Sequence, residues 1–205
     1  MLEAVASHDL WIWHAFFGVA GSNNDINVLN ESPIFNDILT GKAPDCPFVV
    51  NRNEYKHGYY LLDGIYPEYA TFVKAYQHPV DEKRKMFKAA QESARKDVER
   101  AFGVLKKRFD IIKYPSRAWD KDNIANIMYM CIILHNMILE EKGPAICMYN
   151  PHDAANPHQK FVPGSLQYFA RVLEIHSKKT HDNLRHDLTE HIYENRMEHD
   201  DDDEE

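Results

Sequence analysis

The spacing of apolar and polar residues changes several times along the chain, and each change marks an element. Leu10 to Phe17 (Leu-Trp-Ile-Trp-His-Ala-Phe-Phe) is mostly apolar at both alternating sets of positions, which predicts a central strand covered on both faces. Leu2 to Ala6 reads as a neighbouring strand, with Ser7-His8-Asp9 as the turn between them. Gly21 to Asp25 has turn and N-cap chemistry, and Ile26, Leu29, Ile34 and Ile38 suggest short helices after it. Gly41 to Pro47 is a loop. Tyr59 to Leu62 predicts a strand with Asp63-Gly64 as its exit, Pro67 to Tyr76 a short helix, and His78 to Lys88 a polar, basic connector.

From Ala94 the period becomes helical. Ala94, Val98, Ala101, Phe102, Leu105 and Phe109 form one apolar stripe, with charged residues filling the other positions. Ile111 to Tyr114 reads as a brief extended segment, and Asp120 or Asp122 as the cap of a long helix over Ile124 to Glu140. The uninterrupted apolar run in that helix, Ile127 to Leu134, is far shorter than the roughly 17–25 residues a membrane span needs. The expectation is a buried helix of a soluble protein, with no membrane partner. Residues 143–164 form a loop or linker rich in proline, 165–197 a more polar helical segment with Leu173, Leu184, Leu188 and Ile192 as contacts, and 198–205 a disordered acidic tail.

Composition adds a packed globular class: 44% of the 205 residues are apolar and 12% aromatic. Cys46, Cys131 and Cys147 are too few and too scattered for a disulfide framework or a zinc motif, which points to a reducing compartment. The N-terminus lacks the basic start and apolar region of a signal peptide. The net charge of −8 is concentrated at the C-terminus, where Glu198, Asp200 to Asp203, Glu204 and Glu205 leave the remainder near −1. Lys83 to Arg117 carries twelve Lys or Arg against Glu92, Asp97, Glu99 and Asp110. Clustered positive charge is what a phosphate backbone selects, although a solvated helix face has the same composition.

That basic segment surrounds Glu99, and Asp63 closes a strand upstream of it. A carboxylate at a strand end and another on a helix are the ligand types a hard divalent cation takes in phosphoryl transfer. Each has a plainer reading: Asp-Gly after a strand is a common turn, and Glu99 is an ordinary helix glutamate with Arg95 at i−4. His135 and Asn136 in the long helix read as buried, hydrogen-bonded polar residues. His176, His181, His186 and His191 recur every five residues, which places successive side chains about 140° apart on a helix and excludes a shared zinc-binding face.

Five blocks in order carry a resemblance. They are Leu10 to Gly18, Gly21-Ser-Asn-Asn-Asp-Ile-Asn-Val-Leu29, Tyr59-Tyr-Leu-Leu-Asp-Gly-Ile-Tyr-Pro67, Arg95-Lys-Asp-Val-Glu-Arg-Ala-Phe-Gly-Val-Leu105 and Cys131-Ile-Ile-Leu-His-Asn-Met-Ile138. Together they resemble PIF/Harbinger-type transposases and their domesticated plant relatives, from about Leu2 to Lys142, with weaker similarity from Leu166 to Glu194. The resemblance implies an α/β, ribonuclease-H-like mixed sheet flanked by helices, carrying a DDE-type metal site. Asp63 matches the second acid and Glu99 the glutamate. Asp25 matches a recurrent aspartate that is either an accessory metal ligand or a helix cap. The implied cofactor is Mg²⁺ or Mn²⁺ and the implied partner DNA, with Lys96, Arg100, Lys106 and Lys107 as phosphate contacts. A Myb-like or other DNA-binding protein is a further implied partner, and the nucleus, with the cytoplasm as an alternative, the implied location.

The family's first aspartate lies on the first strand in an Asp-Cys-Met/Ile-His context. Neither that block nor the family's helix-turn-helix region occurs in this sequence, and Asp9 stands in a different context. Residues 1–142 are therefore expected to form a partial DDE nuclease domain lacking its first strand. The expected activity is a transposase-derived, divalent-metal-dependent DNA endonuclease, truncated and catalytically impaired alone. The alternatives are a domesticated, non-catalytic DNA-binding or protein-interaction module, and an incomplete gene reading.

Overall fold

A computed structural model describes residues 2–18, 24–43, 46–115, 120–143 and 161–202. It is a mixed α/β structure with small sheets, and the chain divides into two compact units, Met1–Ile34 with Lys96–Asp153 and Phe35–Arg95 with Ala154–Glu205. Most of the predicted linker falls outside the described residues.

In the first unit, β1 (Leu2–Ala6) and β2 (Ile12–Phe17) form an antiparallel hairpin with Leu2 opposite Phe17. Asp9 serves the turn, where its carboxylate accepts hydrogen bonds from the Trp11 amide and the Ser7 hydroxyl. The predicted central strand is corrected here: β2 has β1 as its only strand neighbour among the described residues, and Trp13 is half exposed. Side chains occupy its other edge. The Asn136 amide accepts from the Ile12 N–H (3.0 Å) and donates to the Ile12 carbonyl (2.8 Å), and the Tyr129 hydroxyl accepts from the Phe17 N–H (3.1 Å). Asn136 thus pairs with Ile12 as a third strand would, which explains a polar residue in an apolar helix.

The remaining elements of this unit are α1 (Asp25–Glu31), α4 (Asp97–Arg108) and α5 (Lys121–Lys142). Asp120 caps α5 through the Asp122 amide, which decides between the two capping candidates. Ile12, Ala101, Leu105, Cys131 and Ile132 form the core. The expectation of a buried α5 is only partly met: Cys131, Ile132 and His135 are buried, whereas Met130, Ile133, Leu134 and Met137 are exposed. By length and composition alone α5 is long and apolar enough to cross a membrane, a property it shares with core helices. Between α4 and α5 a 3₁₀ turn, Asp110–Ile112, replaces the predicted extended segment.

In the second unit, β3 (Phe48–Val50) and β4 (Asn53–Tyr55) form a hairpin whose corner residues Asn51 and Arg52 both have positive φ (47° and 64°). That twist suits a two-residue hairpin. β5 (Tyr60–Leu62) pairs in parallel with β6 (Phe72–Lys74), where the sequence predicted a helix over Pro67 to Tyr76. Burial decides the difference: Phe72 and Val73 are enclosed on every side, and β-branched and aromatic residues pack well in an extended segment. The predicted basic connector is instead α3 (Glu82–Arg95), which buries Phe87 and Gln91 one turn apart. The single helix expected from Ala94 therefore begins at Asp97, after a break at Lys96.

α2 (Asn36–Leu39), α6 (Leu166–Ile175) and α7 (Lys178–Asp202) complete this unit. Helix α7 continues through Asp202, into the acidic run expected to be disordered. Leu184 and Leu188 of α7 join Val50, Val73 and Phe87 in the core with Ile192 against them, while Leu173 is exposed.

Candidate metal and nucleic-acid site

Asp63 directly follows β5. Its carbonyl accepts from the Tyr66 N–H (3.4 Å) and its carboxylate from the Gly64 N–H (2.6 Å), so it opens a tight turn over residues 63–66 while remaining exposed. Two side chains hold the backbone around it. Gln91 of α3 donates its amide N–H groups to the carbonyls of Leu62 (2.9 Å) and Val73 (3.1 Å). Lys74, opposite Leu62 in the parallel register, donates to the carbonyls of Tyr66 (2.8 Å) and Gly64 (3.5 Å). Burial pushes the Lys74 ammonium below its ordinary pKa, with nearby Glu68 acting in the opposite direction.

Glu99 and Asp25 belong to the other unit. Glu99 is exposed in the first turn of α4, and Asp25 is exposed as the first residue of α1. The capping role left open for Asp25 falls to Asn24, whose side chain accepts from the Asn27 N–H (2.9 Å). Both carboxylates sit where the positive end of the helix dipole favours negative charge. Neighbouring Asp97 is buried and paired with Arg100 at 2.5 Å, a structural contact at the start of α4.

Lys96, Arg100, Lys106 and Lys107 are all exposed. Lys106 and Lys107 lie in the last turn of α4 with Arg108, where cations also complement the dipole. Arg100 is shared with Asp97, so the lysines are the simpler candidates for phosphate contact.

The histidines separate from this chemistry. His135 is enclosed between Arg108, which donates to its Nδ1 (3.0 Å), and the Leu10 carbonyl, which accepts from its Nε2–H (2.9 Å). Desolvation holds its pKa below the ordinary histidine value; the Leu10 bond opposes this and the Arg108 charge reinforces it. His181 is equally buried, with Nδ1 2.7 Å from the Phe72 carbonyl and 3.2 Å from that of Tyr69. It too is held below the ordinary value, chiefly by burial. Among the described residues, no three or more His, Cys, Asp or Glu side chains form a group that could hold a metal ion. The acids present do not by themselves make a cage for Mg²⁺ or Mn²⁺.

Sequence reasoning missed Gln91, Lys74 and Asp187. Asp187, buried on α7, accepts hydrogen bonds from Asn51 (3.2 Å), Asn53 (2.8 Å) and Tyr55 (2.5 Å) and ties the β3–β4 hairpin to the helix. The Phe87/Gln91 spacing was the available signal for Gln91; for Lys74 and Asp187, tertiary pairing leaves no local pattern.

These elements define an α/β protein with exposed acids at the start of α1 and of the basic helix α4 in one unit and at a strand exit in the other. The chain belongs to the family of plant transposon proteins, whose model matches residues 1–145. This is the transposase-derived group that the five sequence blocks resemble. It is similar to the Protein ALP1-like of Arabidopsis thaliana, with 27% identity over 143 residues covering 68% of this chain. The chain spans about a third (35%) of that relative's length. No solved structure matches it.

Proposed function

We propose that this chain is part of a transposase-derived, DDE-type DNA endonuclease with a ribonuclease-H-like ancestry, dependent on a divalent metal. The supporting observation is the placement of Asp63 at the exit of parallel β5 and Glu99 in the first turn of α4, both exposed, in a chain that belongs to a transposon family. Asp63 and Glu99 are the proposed catalytic acids, with Asp25 as an additional oxygen ligand for Mg²⁺ or Mn²⁺. When bound, the metal supplies Lewis-acid stabilisation of charge at the phosphate. Lys96, Lys106, Lys107 and Arg100 are the proposed phosphate contacts.

A second reading, a DNA-binding module without catalysis, is favoured by one observation: the described acids include no three-ligand group, whereas the basic side chains stand exposed. Incubating the protein with supercoiled DNA separates the two. The nuclease reading predicts slow nicking that requires Mn²⁺ and disappears in Asp63→Asn. Salt-sensitive binding with no nicking selects the second reading. Absence of binding at low salt overturns both. A nuclear location and a Myb-like DNA-binding partner belong to the same proposal.

A further inference from the structure

We propose that the outward face of α6 is the contact through which two copies of this chain associate, packed antiparallel about a two-fold axis. Leu166, Phe169, Ala170 and Leu173 follow the i, i+3, i+4, i+7 spacing and so share one side of the helix. On most surface helices that apolar side faces the core. Here it faces outward: Leu166 is 86% exposed, Leu173 74% and Phe169 55%, with Ala170 exposed between them. Val162, just before the helix, is 70% exposed. The opposite side of α6 fixes this orientation. Ile175 is buried, and its carbonyl accepts from the Ala70 N–H (2.7 Å). Arg171 donates to His57 Nε2 (2.6 Å), and Glu174 lies 3.4 Å from Arg171 and 3.6 Å from both His57 and Lys56. Turning the stripe inward would break all of these contacts, so the apolar side is held in solvent.

The chemistry of the stripe selects its occupant. No exposed position from Val162 to Leu173 carries a charge, so nothing there attracts a nucleic acid, an anionic membrane or a charged peptide. A second copy fits by symmetry, because the four positions are arranged evenly about the midpoint between Phe169 and Ala170. In an antiparallel pair, Leu166 of one copy meets Leu173 of the other, and each Phe169 ring meets the small Ala170 of the other copy. A two-fold contact of this kind uses the same patch on both chains. It also lays the positive N-terminal end of each α6 beside the negative C-terminal end of the other. Parallel packing would instead stack Phe169 on Phe169 and bring like dipole ends together. Two copies of the stripe bury on the order of 1,000 Å² in total, at the small end of specific interfaces, so the association is weak.

Sedimentation equilibrium tests this on the whole chain, on Leu173→Glu, on Leu166→Lys and on an equimolar mixture of the two variants. Both positions are exposed, so each variant is expected to keep the wild-type melting temperature at low protein concentration. The wild-type chain is expected to dimerise with a micromolar dissociation constant. Each variant alone is expected to self-associate about tenfold or more weakly, because its new charge faces a leucine of the other copy. In the mixture the introduced carboxylate meets the introduced ammonium and the remaining two leucines meet each other, so most of the wild-type affinity returns. A wild-type chain still monomeric at about 300 μM overturns the proposal, as does a dimer that both substitutions leave intact. A mixture that associates no more tightly than either variant alone also overturns it, since only antiparallel pairing brings the two substituted positions together. Uptake of a monomeric wild-type chain by neutral phosphatidylcholine vesicles would assign the stripe to a lipid surface instead.

Discussion

Asn136 of α5 makes both available hydrogen bonds to the backbone of Ile12 in β2, accepting at 3.0 Å and donating at 2.8 Å. A helix side chain thereby completes the edge of a two-stranded hairpin. Replacing it by leucine keeps the branched shape and leaves both the N–H and the carbonyl of Ile12 without their partner. Asn136→Leu is expected to destabilise the protein by about 2–3 kcal/mol, read by urea denaturation. Asn136→Asp keeps the acceptor and loses the donor, so its carboxylate faces the Ile12 carbonyl and it gains little over leucine.

The two buried histidines give stability a definite dependence on pH. Both are held below the ordinary histidine pKa when folded, so the unfolded chain binds more protons in the acidic range. Their contribution is complete above about pH 6.5 and is lost as pH falls through that value toward the folded pKa. Melting temperature is expected to be flat from pH 7 to 8 and to drop below pH 6. His181→Gln reduces that acid sensitivity; an unchanged profile in this variant contradicts the assignment.

Asp187 has a separate, more acidic window. Burial raises its pKa, but hydrogen bonds from Tyr55, Asn53 and Asn51, aided by the charge of His186, more than offset this and hold it below the ordinary carboxylate value. Its contribution is therefore present above about pH 4 and fades as pH falls further. Asp187→Ala leaves three donors without their acceptor and is expected to lower stability by about 3 kcal/mol or more, whereas Tyr55→Phe lowers it by about 1–2. Chemical denaturation at neutral pH checks the order of the two.

The basic end of α4 makes a prediction about salt. Lys106 and Lys107 are exposed and adjacent, so each is expected to neutralise one DNA phosphate. Removing both by Lys→Gln should weaken binding on every DNA sequence alike. It should also reduce the slope of log affinity against log salt by about 1.8. A gel-shift series at several salt concentrations reads this slope, and an unchanged slope moves the DNA contact elsewhere.

These contrasts show what the sequence could carry. Hairpin β1–β2, the cap at Asp120, strand β5 and the structural role of His135 and Asn136 were all legible, because each depends on local period or on one polar residue in an apolar run. Strand β6 was not: Phe72 and Val73 are driven extended by tertiary burial in a segment that also reads as helical. Helix α3 was hidden because its buried stripe rests on Phe87 and Gln91 amid lysines. The acids were legible as residues of a family. Their surroundings were not, since Gln91 and Lys74 reach the Asp63 turn only through the pairing of β5 with β6.

The most direct measurement is Mn²⁺ binding to the wild-type chain, Asp63→Asn and Glu99→Gln, followed by calorimetry or by the paramagnetic signal of free Mn²⁺. Weak binding is expected for the wild-type chain and a loss of about tenfold or more in each variant, with unchanged melting temperatures. Equal Mn²⁺ binding by all three proteins would contradict the assignment of Asp63 and Glu99 as the acids of a metal-dependent nuclease.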